Sequence, residues 1–330
     1  MSTPDAWPAR PERTKVVALG GGHGLSATLG ALRHVSGDLT AVVTVADDGG
    51  SSGRLRKELG MLPPGDLRMA LAALCDDSEW GLTWRDVLQH RYSSSGPLDS
   101  HAVGNLLIVA LWDILGSEVA GLDWVGRLLG ARGRVLPMAS VPLDIEATVR
   151  RDDSEAPRVV RGQSRVAVTS GRIEHVRVLP EDPPACAEAV EAVRAADWVV
   201  LGPGSWFTSV IPHLLVPDLA LALHETGARR ALTLNLSAQV GETDGMSAAD
   251  HLRTLRAHAP DFRLDIVIAD PGAVDDIDAL AEAARESGAS LLLRQVGAGD
   301  GTPRHDPLRL AAAYRDAFEG FLGDVGERAG

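Results

Sequence analysis

Cysteine, positive charge and long apolar runs are all scarce in this chain, and each shortage argues against a class of protein. The 330 residues include two cysteines, Cys75 and Cys186, which lie far apart and lack metal-ligand spacing. Neither a disulfide framework nor a structural zinc site is supported, and the thiols read as buried and inert. Lys and Arg number 32 against 45 Asp and Glu, a formal net charge of −13, which opposes non-specific attraction to nucleic acid phosphates or anionic lipid. Any anionic ligand must therefore be held by local groups. The longest apolar stretch, around Leu106 to Leu115, is too short to span a bilayer, and Met1 to Thr14 is Pro-rich and charged where a secretory signal would be apolar. The expectation is a cytoplasmic protein that partners neither nucleic acid nor membrane. Fixed-period repeats are absent, and the acidic, Ala-rich stretch Val274 to Ser287 reads as a solvated helix face.

Hydrophobic residues, at 45%, supply a sizeable core. Short, mostly uninterrupted apolar runs predict strands at Lys15 to Leu19, Leu39 to Val45, Trp198 to Leu201, Arg230 to Leu236, Leu264 to Ala269 and Leu291 to Gln295. Helical patterns such as Ser26 to His34, Glu188 to Ala195 and Ala248 to His258 lie between them. This is the pattern of an α/β fold with a mostly parallel, doubly wound sheet covered on both faces. From Val135 to Leu179 the chain instead alternates apolar and polar residues, with turns at Asp152-Asp153 and Ser170-Gly171, which predicts an antiparallel β excursion. The expected organisation is a disordered tail over 1–14, a nucleotide-binding core over 15–134 and 181–300, an antiparallel insertion over 135–180, and a C-terminal helix within 301–330. The apolar stripe of that helix, Leu308 to Leu322, suits either an interface or packing on its own domain.

Three loops of small residues each follow a β-branched run: Gly20 to Ser26, Ala46 to Gly53 and Leu201 to Ser209. A strand that ends in glycines and feeds a helix leaves backbone N–H groups and a positive helix end aimed at one spot, where an anion fits. Gly22, Gly24 and Ala27 satisfy the dinucleotide fingerprint, with Asp47 in the acidic position, and alone would favour NAD. The acidic doublet Asp47-Asp48, running into Gly49-Gly50-Ser51-Ser52, and the extra glycines of the first turn point away from it. The plainer alternative is that these glycines only make tight turns.

Five ordered blocks over Lys15 to about Ala269 carry a resemblance: GGGHGLSATL, TVADDGGSSGRLRKELGMLPPGDLR, HAVGNLL, LGPGSWFTSVIPHLLV and GETDGMSAADH. Together they resemble the gluconeogenesis factor, or YvcK-like, family of bacteria, which is related to the phospholactate transferases of coenzyme F420 synthesis. The resemblance implies a Rossmann-like fold, UDP-N-acetylglucosamine as ligand, and a role in cell shape and wall synthesis on gluconeogenic carbon. It also implies a protein partner in cell-wall precursor metabolism. A departure is Met246, where relatives commonly carry tyrosine.

In this reading Gly20, Gly21, Gly22 and Gly24 let the backbone approach the ligand, and Gly202, Gly204, Ser205 and Thr208 form a second cradle. Asp47, Asp48, Gly49, Ser51, Ser52 and Arg68 complete the phosphate side; for the serines, an N-cap on the following helix is the alternative. His101 and Asn105, four apart in an apolar segment, are expected on one helix face and in ligand contact. Gln239, Thr243 and Asp244 follow a strand end and would meet sugar or ribose hydroxyls. By analogy with the transferases, Asp48 and Asp66 are candidate ligands for Mg²⁺ shared with the nucleotide, although Asp66 also suits a helix cap. No Ser-His-Asp set, no nucleophile with its base and no Walker lysine occurs, so the reading favours a nucleotide-sugar-binding regulator. The alternatives are a phospholactate-type transferase and an NAD-dependent oxidoreductase; monomer and homodimer both fit.

Overall fold

The computed structural model describes residues 14–151 and 156–321. Residues 1–13 of the expected tail and the expected turn at Asp152-Asp153 lie outside the described residues. Ten strands occur among the described residues: β1 (Lys15–Gly20), β2 (Asp38–Val43), β3 (Arg134–Pro137), β4 (Asp144–Arg150), β5 (Arg158–Arg161), β6 (Arg172–Leu179), β7 (Trp198–Leu201), β8 (Arg229–Thr233), β9 (Ile266–Ala269) and β10 (Ser290–Leu293). The α-helices are α1 (Gly22–Leu32), α2 (Gly50–Leu59), α3 (Gly65–Leu74), α4 (Glu79–Gln89), α5 (Val103–Leu115), α6 (Glu118–Leu129), α7 (Gln163–Val166), α8 (Ala187–Arg194), α9 (Pro217–Glu225), α10 (Ala248–His258), α11 (Ile277–Glu286) and α12 (Pro307–Glu319).

Seven strands form one parallel sheet in the order β10-β9-β8-β7-β1-β2-β3. From β1 the chain winds outward through β2 and β3, then returns to β7 on the other side and winds away through β10. That reversal creates a switch point between β1 and β7, and ligands of open α/β sheets gather outside the carboxyl ends of such strands. The four residues of β7 and the four of β9 are all buried, as strands covered on both faces require.

β4, β5 and β6 make a separate antiparallel sheet in the order β5-β4-β6. The excursion begins later than expected, because Arg134–Pro137 pairs in parallel with β2 and belongs to the main sheet. The reason is visible in the residues: Val135-Leu136-Pro137 is continuously buried, and burial alternates only from Asp144 onward. Helix α12 packs on its own domain. Its Tyr314 hydroxyl lies 2.9 Å from Thr233 Oγ1, and the Phe318 ring meets Trp198 at a 31° tilt with centroids 4.6 Å apart, while Phe321 beyond the helix is exposed. No single helix among the described residues is long and apolar enough to cross a membrane. Cys75 and Cys186 are buried and free, and burial pushes both thiols upward, Cys186 to about 11, so neither is a ready nucleophile.

Candidate functional site

The first and third glycine loops meet at the switch point. A Cβ added to Gly24 would fall within contact distance of the Pro203 carbonyl oxygen and 2.6 Å from Gly204 Cα, so only glycine lets α1 approach the turn after β7. Thr28 Oγ1 on α1 donates to Gly202 O at 2.8 Å, and Asn235 after β8 clamps the same turn. Its Oδ1 accepts from Gly204 N at 2.8 Å while its Nδ2 donates to Gly204 O at 2.9 Å.

The second loop joins from the β2 side through Asp66. A Cβ on Gly21 would lie 2.6 Å from Asp66 Oδ2, and one on Gly65 would lie 2.9 Å from Asp47 Oδ2. Burial, reinforced by the charge of Asp47, raises the Asp66 carboxyl to about 7 against a partly compensating hydrogen bond from the Gly22 backbone. Asp66 is not a helix cap: α3 begins at Gly65, its N-cap is Pro64, and no side chain caps it. Asp48, one residue of the expected metal pair, bonds the antiparallel excursion. Its Oδ1 accepts from Ser164 N at 2.8 Å, tying the antiparallel excursion to the second loop, so Asp47 is the carboxylate coupled to Asp66.

Beside these carboxylates runs a buried polar chain. Arg68 Nε donates to Asn105 Oδ1 at 2.9 Å, Asn105 Nδ2 donates to Ser51 Oγ at 3.0 Å, and Ser51 Oγ lies 2.9 Å from His101 Nδ1. The expected helical pairing of His101 with Asn105 is replaced by this bridge, because α5 begins only at Val103. Nor is Ser51 an N-cap: α2 starts at Gly50 behind Gly49, without a side-chain cap. Arg68 is buried and forms no ion pair among the described residues; burial, then Arg91, lowers its guanidinium to about 10, which leaves it charged at neutral pH. Gly104 makes room for Arg68 Cδ and for the Leu88 carbonyl oxygen, each 2.8 Å from where its Cβ would be.

The expected second cradle is filled by the chain itself. Glu242 Oε1 accepts from Phe207 N at 2.7 Å and Thr208 N at 3.1 Å, and the Ser205 hydroxyl donates to the same carboxylate at 2.5 and 2.7 Å. Ser205 and Thr208 also pair with each other. These donors therefore hold an internal carboxylate, and burial raises the Glu242 carboxyl. Thr243 Oγ1 accepts from Gln239 N at 2.8 Å, Asp244 Oδ2 accepts from Gly241 N at 2.8 Å, and Gln239 Oε1 accepts from Trp206 N at 3.3 Å. All three residues thus brace the loop after β8. Glu242 was not among the residues expected in the site; its signal in the sequence is an acidic residue in a turn without a basic neighbour.

The arrangement unites Gly20 to Gly24, Asp47, Asp66, Ser51, Ser52, Arg68 and Gly204 at one end of the sheet, with carboxylates and a buried guanidinium side by side. The sequence model of the family 2-phospho-L-lactate transferase CofD matches residues 16–291. The chain is 37% identical over 265 residues to the gluconeogenesis factor of Bacillus subtilis, covering 80% of this chain and 81% of that protein. It is 55% identical over 303 residues to a Mycobacterium tuberculosis protein that carries the same designation provisionally, covering 90% of this chain and 88% of that one. A crystal structure of a UPF0052-family protein from Bacillus halodurans superposes with a TM-score of 0.82 at 32% identity, covering 92% of this chain and 99% of that one.

Proposed function

We propose a function from one premise: the chain belongs to the gluconeogenesis factor family, within the wider group of the 2-phospho-L-lactate transferase CofD. It binds a nucleotide sugar, UDP-N-acetylglucosamine, and acts as a cytoplasmic regulator of cell shape and cell-wall synthesis during growth on gluconeogenic carbon. The observation that carries this reading is the contact between the Gly24 and Gly204 turns at the switch point, with Arg68, Asp47 and Asp66 beside them. Glycine backbone and a helix start accept a diphosphate closely, and a buried guanidinium offsets its charge in an acidic protein. Ligand occupancy regulates only if one conformation binds better than another.

The donor set fits a divalent cation. Asp66 is buried beside Asp47, where a second negative charge is costly, and the two carboxylates would hold a divalent cation that offsets that charge. Among the described residues no cluster of three or more His, Cys, Asp or Glu gathers for a metal, so the ligand would supply the remaining oxygens. Calorimetry with UDP-N-acetylglucosamine, with and without Mg²⁺, tests the reading: saturable binding is expected, and none under either condition rejects it. The CofD match favours one second reading, transfer of a phospholactate group to a deazaflavin alcohol. Product formation from a nucleotide-activated donor would establish it.

A further inference from the structure

One histidine closes the outer edge of the small antiparallel sheet. Among the described residues β6 pairs with β4 on one side only, so the backbone N–H groups of its other side need partners elsewhere. Val176 N finds one 82 residues away: it donates at 3.1 Å to Nε2 of His258, the last residue of α10. His258 Nδ1 lies 2.8 Å from Thr254 O. A carbonyl only accepts, so Nδ1 carries the proton, and the bond from Val176 then requires a bare lone pair on Nε2. Both ring nitrogens are committed, and the pattern holds only for the neutral ring.

The surroundings reinforce that requirement. His175 stacks on His258 with ring centroids 4.8 Å apart and planes 3° from parallel, so a charge on one ring opposes a charge on the other. Burial, helped by His175, lowers the proton affinity of His258 below the ordinary 6.5, against a partly compensating hydrogen bond to Thr254 O. The remaining charges nearby are spoken for. On β6, Arg177 pairs with Glu146 and Glu181, and Glu174 with Arg150; on α10, Arg253 pairs with Asp250 and Arg256 with Glu286 of α11. The turn Ile211–Leu215 packs on both β6 and α10, and its His213 points Nε2 at Val42 O. The loop after β7 presents only the Phe207 ring, 6.1 Å from His258.

We propose that His258 is a pH-sensitive latch on the antiparallel sheet. Neutral, it holds the β6 edge against α10; protonated at Nε2 from solvent, it turns a donor toward the Val176 N–H and a cation toward His175, and the edge is released. The folded ring binds its proton less readily than the unfolded one, so the latch adds stability above pH 6.5 and loses it as pH falls. The β4 side stays anchored through Arg56 and Asp144. The latch is independent of what the glycine loops bind.

Amide hydrogen exchange of the full chain from pH 7.5 to 5, normalised to the intrinsic rate at each pH, tests it alongside the ¹⁵N shift of His258 Nε2. Val176 protection should fall about tenfold or more as the ring protonates below pH 6.5, while Val199 in the main sheet stays protected. In His258→Gln the side-chain carbonyl accepts from Val176 N at every pH, so protection there should be flat. Wild-type Val176 protection that ignores pH, or a ring that titrates at 6.5 or above, overturns the latch. So does a loss of the same size in His258→Gln. A variant that leaves Val176 unprotected at every pH supports residue 258 as the acceptor, and the wild-type arms need no variant to fold.

Discussion

Replacing Asp66 by Asn should make the protein more stable at neutral and alkaline pH. The carboxyl titrates at about 7 in the folded chain against 3.8 ordinarily, because it is buried and lies near Asp47. Between those values the native state keeps a proton that the unfolded chain has released, so this group's contribution to stability falls as pH rises through the window. Each pH unit is worth about 1.4 kcal/mol, so the wild type forgoes roughly 4 kcal/mol once both states are ionised. Asn is neutral throughout and escapes that cost. Urea unfolding of both proteins, in chelator and at intervals from pH 4 to 8, reads the difference. The curves should coincide near pH 4 and diverge in favour of Asp66→Asn up to about pH 7. A constant difference across the range, or a wild type more stable at pH 8, would refute the claim that the Asp66 carboxyl is buried beside a second carboxylate.

Gly24→Ala places a methyl group against the Pro203–Gly204 backbone; thermal or urea unfolding should show a loss of about 2 kcal/mol from overpacking, with weaker ligand binding by calorimetry. Glu242→Ala leaves the Phe207 and Thr208 N–H groups and the Ser205 hydroxyl without their acceptor, so about 3 kcal/mol of stability should be lost and hydrogen exchange at 207 and 208 should accelerate. Fluorescence titration with NADH should show no saturable binding, since the acidic residue of the dinucleotide fingerprint, Asp47, is engaged with Gly49 N at 2.9 Å and coupled to Asp66.

The parallel sheet was largely legible because its strands are continuous apolar runs. Trp198–Leu201 and Ala248–His258 fall where the hydrophobic pattern places them. Helix starts were harder: α1, α2 and α3 begin at Gly22, Gly50 and Gly65, residues of low intrinsic helix preference that tertiary contacts hold in place. Convergence of the glycine loops was suggested by three small-residue turns that each follow a strand and feed a helix. The partners within the site were not. Glu242 reaches across 34 residues to Thr208, Ser164 across 116 to Asp48, and Arg68 across 37 to Asn105. Local pattern carries no information about such pairings, which depend on how distant turns are brought together. Ser51 and Asp66, which suit helix caps by local reasoning, were redirected for the same reason: each sits inside a first turn, facing a partner from another element.

Amide hydrogen exchange across the three glycine turns, with and without UDP-N-acetylglucosamine and Mg²⁺, tests the shared diphosphate site most directly. A shared site requires residues 20–24, 47–53 and 202–205 to gain protection together at the same ligand concentration. Protection confined to one turn, or absent from all three while the protein remains folded, would contradict it.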